Sequence, residues 1–288
     1  MLTRTPQIIF TAAVLTALPF ASAQQRRPQP PKSVRLYVLD CGDIKGANRA
    51  GFGFQASELA TTDMITPCFL IVHPRGTLIW DTGEVADSDF TSNPAPIKRG
   101  SYTVTKPLLP QLAALGYTAA DITYLGLSHY HGDHVANANS FAGSTWLVQQ
   151  VERDAMFAPR DPGKKGGANP DLYGELRKSK ATVINNRDHD VFGDGTVVIK
   201  FTPGHTPGHQ ALFLKLAKTG PVVLSGDLYH YHEEITLKRV PTFEFNKEQT
   251  MKSRAELEDF VKKNRAQLWI QHDASNGAKL KKAPEFYE

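Results

Sequence analysis

The segment Ser128-His129-Tyr130-His131-Gly132-Asp133-His134 constrains this chain more than any other. Its three imidazoles and one carboxylate directly follow the apolar run 122–127, which reads as a buried strand. Groups this crowded are costly to take out of water unless a positive charge sits among them. Imidazole suits zinc, iron or cobalt, and the carboxylate adds a hard ligand. The alternative is a solvated histidine-rich loop. The spacing favours a metal site displayed at the end of a strand.

The beginning of the chain indicates where it works. Residues 1–23 carry Arg4, an apolar core over 8–20 and then Ala21-Ser22-Ala23, the order of a secretory signal peptide. Thr11, Thr16 and Pro19 interrupt an apolar run already too short for a membrane anchor. Cleavage near Ala23-Gln24 leaves a Pro-rich tether over 24–33 and one large domain over 34–288. The expected product is periplasmic or secreted, with no stable membrane anchor. The formal charge of +4 drops by one with Arg4. So small an excess, spread over short runs such as Lys164-Lys165 and Lys262-Lys263, reads as solvated surface rather than a nucleic-acid groove. Cys41 and Cys68 could pair in an oxidising compartment, and neither has the neighbours of a metal ligand.

Strand-like and helix-like segments alternate along the middle of the chain. Residues 34–40 alternate apolar and polar side chains, as a half-buried strand does. Residues 67–73 and 77–81 flank Pro74-Arg75-Gly76 and read as a hairpin. A helix over 106–115 ends at Gly116, and another is expected over 133–141. Strands are expected over 145–150, 181–185, 196–202, 210–216, 221–225 and 268–271, with a charged helix over 249–263. Two such halves suggest two facing sheets with helices outside. Further ligand types stand where these strands end: His205 and His209 in a Pro/Gly turn, Asp227 after Gly226, and His272 before Asp273. Together with the first cluster they supply enough ligands for two metals.

Asp81-Thr82-Gly83, the 129–134 cluster, Thr202-Pro203-Gly204-His205, Gly226-Asp227 and His272 resemble the metallo-β-lactamase fold hydrolases over residues of about 34–275. The resemblance implies an α/β fold, an αββα sandwich of two mixed sheets with outer helices. It also implies a dinuclear centre, most simply two Zn2+ with Fe or Co as substitutes. His129, His131 and His205 would hold metal one, Asp133, His134 and His272 metal two, and Asp227 would bridge them. His209 would be structural, and Asp81 would orient a ligand imidazole. True β-lactamases of this fold usually carry Cys or Ser where Asp227 stands. The elements Leu115-Gly116-Tyr117, Asp121-Ile122, 202–213 and Gln271-His272-Asp273 are similar to the N-acyl homoserine lactonase branch.

That branch places a Tyr three residues after the bridging Asp. Here position 230 is His, between Tyr229 and Tyr231. Either Tyr229, through a shift in the turn, or His230 would assist the oxyanion, unless all three merely pack. The implied reaction is lactone opening by a metal-bridging hydroxide, with Asp133 also able to relay a proton. Phe52, Phe54, Met64, Phe157, Phe243 and Phe245 stand in loops suited to receive an acyl chain. Two other readings stand beside this one. One is a sister hydrolase for another lactone, ester, thioester or β-lactam; the other is a non-catalytic metal- or ligand-binding module.

Overall fold

The computed structural model describes residues 28–90, 96–159 and 168–288. The expected signal peptide over 1–23 and residues 24–27 of the expected tether lie outside them.

The first sheet contains β1 (Arg35–Ile44), β2 (Met64–His73), β3 (Gly76–Trp80), β4 (Ile97–Arg99), β5 (Tyr102–Val104), β6 (Tyr124–Gly126), β7 (Thr145–Gln149) and β8 (Ala181–Ile184). Its order is β4-β5-β1-β2-β3-β6-β7-β8, antiparallel up to β3 and parallel from β3 to β8. The second contains β9 (His189–Asp190), β10 (Val197–Phe201), β11 (Gln210–Leu216), β12 (Gly220–Leu224) and β13 (Gln267–Trp269), in the order β13-β12-β11-β10-β9. Only β12–β13 is parallel in this sheet, so both sheets are mixed.

The period of two along each strand builds three apolar layers. Leu36, Val38, Ile71, Leu78 and Trp80 face Ile199, Leu212, Leu214, Val222 and Leu224 between the sheets. Tyr37, Leu39, Leu70 and Ile79 point the other way, against Leu108 and Leu112 of helix α1 (Leu108–Ala114). On the far side Phe213, Val223 and Ile270 pack on Leu257, which belongs to the long helix 247–264. Helices therefore cover both outer faces, and the order of layers is αββα.

This explains a difference from the sequence reading. β1 looked half-buried by alternation, yet residues 36–39 are buried on both faces, because helices cover the side expected to meet water. The hairpin of β2 and β3 forms as expected, and Gly116 ends α1 with φ +82°. The helix expected over 133–141 is broken. It becomes α2 (Gly132–Val135) and a 3-10 turn (Ala138–Phe141). Between them Asn137 leaves helical geometry and its side-chain amide donates to the carbonyls of Thr82 and Val85. A further helix, α3 (Gln150–Met156), follows β7 directly and was not foreseen. Two more complete the frame used below: α4 (Glu233–Thr236) and α5 (Lys247–Asn264). Cys41 and Cys68 are disulfide-bonded, joining β1 to β2 with Cα atoms 5.8 Å apart.

Candidate metal centre

Five strands release their chains at one edge of the sandwich. β3 and β6 run parallel in one sheet, and β12 and β13 in the other, so the segments that follow them emerge on the same side. β10, parallel to β12 across β11, does likewise. Asp81, residues 128–134, His205, Asp227 and His272 lie in the segments just beyond those ends. The rule that parallel strands carry sites beyond their carboxyl ends thus explains why residues so distant in sequence converge.

Two overlapping groups result, each able to hold a metal ion. His129, His131, His205 and Asp227 form one; Asp133, His134, Asp227 and His272 form the other. In the first, Nδ1 of His131 lies 2.9 Å from Nε2 of His129 and 3.0 Å from Nε2 of His205. In the second, the Nε2 atoms of His134 and His272 are 3.3 Å apart, and Oδ1 of Asp227 is 3.0 and 2.9 Å from them. Oδ2 of Asp133 stands 3.6 Å from the same two nitrogens. Asp227 spans both groups, with Oδ2 3.6 Å from His129 and 3.4 Å from His205.

The far nitrogens of four imidazoles are anchored. Nδ1 of His134 meets Oδ2 of Asp81 at 2.9 Å, Nδ1 of His205 meets Glu244 at 3.1 Å, and Nδ1 of His272 donates to the Ile65 carbonyl at 2.7 Å. Nδ1 of His129 lies 3.0 Å from the Ser128 hydroxyl. The carboxylates and the carbonyl can only accept, so they place a proton on Nδ1 of His134, His205 and His272 and direct Nε2 of those rings inward. That tautomer leaves Oδ1 of Asp227 buried without a hydrogen-bond donor although two nitrogens adjoin it. Lone pairs converging on shared points, from imidazoles and carboxylates alone, are the donor set of a divalent transition metal. The residues therefore fit two such ions.

Burial and the neighbouring His205 hold His131 down at about 3, so it is neutral. Burial also holds His129 well below the ordinary imidazole range. Burial opposes ionisation of Asp227, but the surrounding imidazoles, His272 first, override it and keep the carboxylate charged. Burial opposes a charge on His134 and His205 as well, but Asp227, helped by Asp133 and Asp81 at His134 and by Glu244 at His205, overrides it and raises both, His205 to about 9. A cation entering the centre therefore takes the place of protons held on those two rings.

Glycines let the backbone come this close. Gly226 has φ +53°, and a Cβ there would stand 2.6 Å from Nε2 of His209. That nitrogen accepts the Asp227 N–H at 2.9 Å, so His209 holds the backbone of the bridging carboxylate rather than joining either group. A Cβ on Gly208 would meet the backbone nitrogen of Glu152 at 2.7 Å.

Glu152, on α3, escaped the sequence reading. One oxygen accepts the Tyr130 N–H at 3.0 Å and the Thr206 hydroxyl at 2.9 Å, and the other accepts the Gly208 N–H at 2.7 Å. It joins the loop of His129 and His131 to the turn of His205. Its position just beyond β7, like the other strand-end groups, was the available signal. Glu244 and Gln271 act similarly at longer range: Gln271 donates to Asp81 at 2.6 Å. Asp81 itself accepts the Ser128 N–H at 2.6 Å while holding His134.

The two aromatic candidates part company. Nε2 of His230 lies 3.2 Å from Oδ2 of Asp227, and its ring lines the cavity above the centre. Tyr229 does not. Its ring is buried among Ala211, Phe213, Leu257 and Ile270, and its hydroxyl donates to Glu258 at 2.5 Å. The expectation of a catalytic Tyr229 is corrected: alternation after Asp227 sends its side chain toward α5. The cavity measures about 560 Å³ and is lined by Phe52, Met64 and Phe243 among apolar residues and by Glu84 and Tyr102 among polar ones. Of the other expected pocket residues, Phe54 packs with Tyr231, Phe157 lies against Trp146 and Tyr173, and Phe245 is exposed.

Comparison with known proteins follows the same line. Residues 61–266 match the sequence profile of the metallo-beta-lactamase superfamily. The N-acyl homoserine lactonase AttM of Rhizobium radiobacter is 32% identical over 264 residues, covering 88% of this chain and 98% of that protein. The N-acyl homoserine lactonase AiiA of Bacillus thuringiensis subsp. kurstaki is 27% identical over 229 residues, 76% of this chain and 85% of the relative. A solved quorum-quenching N-acyl homoserine lactone lactonase shares the fold with a TM-score of 0.73 at 24% identity, over 88% of this chain and 98% of that one. An N-acyl homoserine lactone hydrolase with the product N-hexanoyl-L-homoserine at its metal centre gives 0.71 at 23%, over 88% and 99%.

Proposed function

This chain belongs to the metallo-β-lactamase superfamily, and we propose that it is an exported hydrolase that opens N-acyl homoserine lactones with two divalent cations, Zn2+ first. The observation that carries the reading is the pair of ligand groups sharing Asp227, in a chain that aligns with 98% of a named lactonase. The bonded Cys41–Cys68 pair supports export, since such bonds persist in oxidising compartments.

When bound, the two cations supply hydroxide near neutral pH and polarise the ester carbonyl. The protein's own residues do the rest. His129, His131 and His205 would hold one cation and Asp133, His134 and His272 the other, with Asp227 common to both groups. Asp81, Glu244 and the Ile65 carbonyl keep the ligand imidazoles in one tautomer. Asp133, the more accessible carboxylate of the centre, takes the proton of the attacking oxygen and passes it to the ring oxygen as the C–O bond breaks, giving the hydroxy acid. His230 takes the place of a phenol. Its Nδ1 faces Glu234, which Arg254 pairs with in turn, so the ring is fixed with Nε2 directed at the cavity. Burial opposes its charge, but Asp227 and Glu234 override it and raise His230 to about 10, so both ring nitrogens carry protons and Nε2–H can donate to the developing oxyanion.

Acidification after adding an acyl homoserine lactone to the metal-analysed mature protein tests this. Two metals per chain, proton release abolished by a chelator, and loss of both metal and turnover in Asp227→Ala are expected. Full turnover with a single metal bound refutes the dinuclear reading. Two metals without lactone opening transfers the assignment to another ester, thioester or β-lactam.

A further inference from the structure

Glu84 is the one cavity-lining group the reaction above leaves unused that is both acidic and without a partner among the described residues. Its Oε2 atom is buried and accepts no hydrogen bond. Of the two groups whose positive charge acts on it, His134 is held by Asp81 and Asp227, and Arg99 pairs with Asp89 at 2.8 Å. A desolvated carboxyl oxygen without a donor is costly, and such groups persist where a ligand supplies the donor.

The backbone presets this side chain. Thr82 N–H donates to the His134 carbonyl at 2.7 Å, the Gly83 carbonyl accepts from Ala136 at 2.9 Å, and the Val85 carbonyl accepts from Asn137 at 3.0 Å. Glu84 is thus pinned on both sides to the segment that carries Asp133 and His134. Burial and then the charge of Asp133 push its carboxyl up to about 8, and Glu84 and Asp133 together raise the Tyr102 phenol beyond the effect of burial. These three groups form a polar part of the lining. Phe52 and Phe243 form the apolar part, edge to face at 5.1 Å, with His230 against both.

We propose that Glu84 accepts the amide N–H of the substrate and makes the enzyme selective for lactones that carry an acylamino group beside the ester carbonyl. The inference rests on the lactonase reading. In such a lactone the amide nitrogen is one carbon from the ester carbonyl. Glu84, Asp133 and Asp227 line one cavity with Phe52 and Phe243, so a lactone whose carbonyl sits at the carboxylate centre would offer its N–H to Glu84 and its acyl chain to the two rings. Ionised or neutral, the carboxyl keeps an accepting oxygen, so the selection does not depend on its protonation.

The test compares N-hexanoyl homoserine lactone, its N-methyl amide and an alkyl γ-lactone of matched length, on the metal-loaded wild type, Glu84→Gln and Glu84→Leu. The preference in kcat/KM for the amide-bearing lactone falls about 10- to 100-fold in Glu84→Leu, mainly through KM, as expected when a substrate donor loses its acceptor. Glu84→Gln, whose carbonyl still accepts, keeps most of the preference. Methylation of the amide costs the wild type a similar factor, which holds the proposal open to refutation should Glu84→Leu not fold. A wild type that opens N-methyl and parent lactones equally, or a Glu84→Leu ratio within about twofold of wild type, overturns the inference while leaving the lactonase reading intact. A metal-loaded wild type that opens none of the three overturns both.

Discussion

Removing the Glu152 carboxylate should loosen two metal-binding segments at once. Glu152 is buried and accepts three hydrogen bonds, from Tyr130, Thr206 and Gly208. Glu152→Gln keeps the oxygen facing Tyr130 and Thr206 but turns an amide N–H toward the Gly208 N–H. One bond to a buried carboxyl is lost and one donor is stranded, a cost of roughly 2 kcal/mol. Glu152→Ala strands all three donors; water entering the vacated space recovers part, leaving a loss of roughly 3–5 kcal/mol. For a domain of this size each kcal/mol lowers Tm by about 2–4 °C, so the two variants should melt about 4–8 and 6–20 °C below wild type. Because Tyr130 stands between two ligand histidines and Gly208 follows His205, metal affinity should fall by about 10- to 100-fold, the usual cost of losing an outer partner. Thermal melts of metal-loaded and chelator-stripped protein, with a chelator-competition titration, read both effects. A Glu152→Ala protein that melts within about 2 °C of wild type and holds its metals as tightly refutes this account of how the segments are joined.

Four further outcomes are expected. Tyr229→Phe loses one hydrogen bond to Glu258, about 1 kcal/mol, and keeps turnover within about twofold, whereas His230→Gln loses about 100-fold or more in kcat; equal losses in the two variants return Tyr229 to the site. Stripping the metals should lower Tm by roughly 10 °C or more, as mass action at about 1,000 Kd predicts, and an unchanged melt argues against a folded-state site. His73, buried and stacked on Phe192 at 4.0 Å, is held below 6.5 mainly by burial, although Asp194 opposes this. Its unfolded form takes up a proton more readily, so stability should fall as pH drops through 6.5 toward the folded pKa. Urea midpoints of wild type and His73→Gln should converge across that window; parallel curves count against the assignment. Finally, Gly208→Ala forces a methyl to within 2.7 Å of the Glu152 backbone and should mimic Glu152→Ala in metal loss, a result that normal metal content contradicts.

How much of this was legible beforehand depended on how local the chemistry is. The seven ligand types sit at strand ends marked by apolar runs and Pro/Gly turns, so short spacings exposed them. The layered α/β architecture followed from the alternation of elements. The periodicity of 34–40, however, misjudged exposure, because nothing local says that α1 will cover the second face of β1. The break at Asn137 also escaped notice, since its partners, Thr82 and Val85, lie more than fifty residues away.

The residue types needed for a metal-dependent hydrolase were therefore determined by the sequence itself: imidazoles and carboxylates, placed where strands end. Tertiary structure decided which groups serve them. It sent Tyr229 into the core and His230 into the cavity, put Glu152 between two metal loops, and left Glu84 with an open oxygen. The reason is physical. A ligand is recognisable by its own chemistry, but a hydrogen-bond partner or a cavity wall is defined by distance, and only packing of the two sheets sets the distances between segments far apart in the chain.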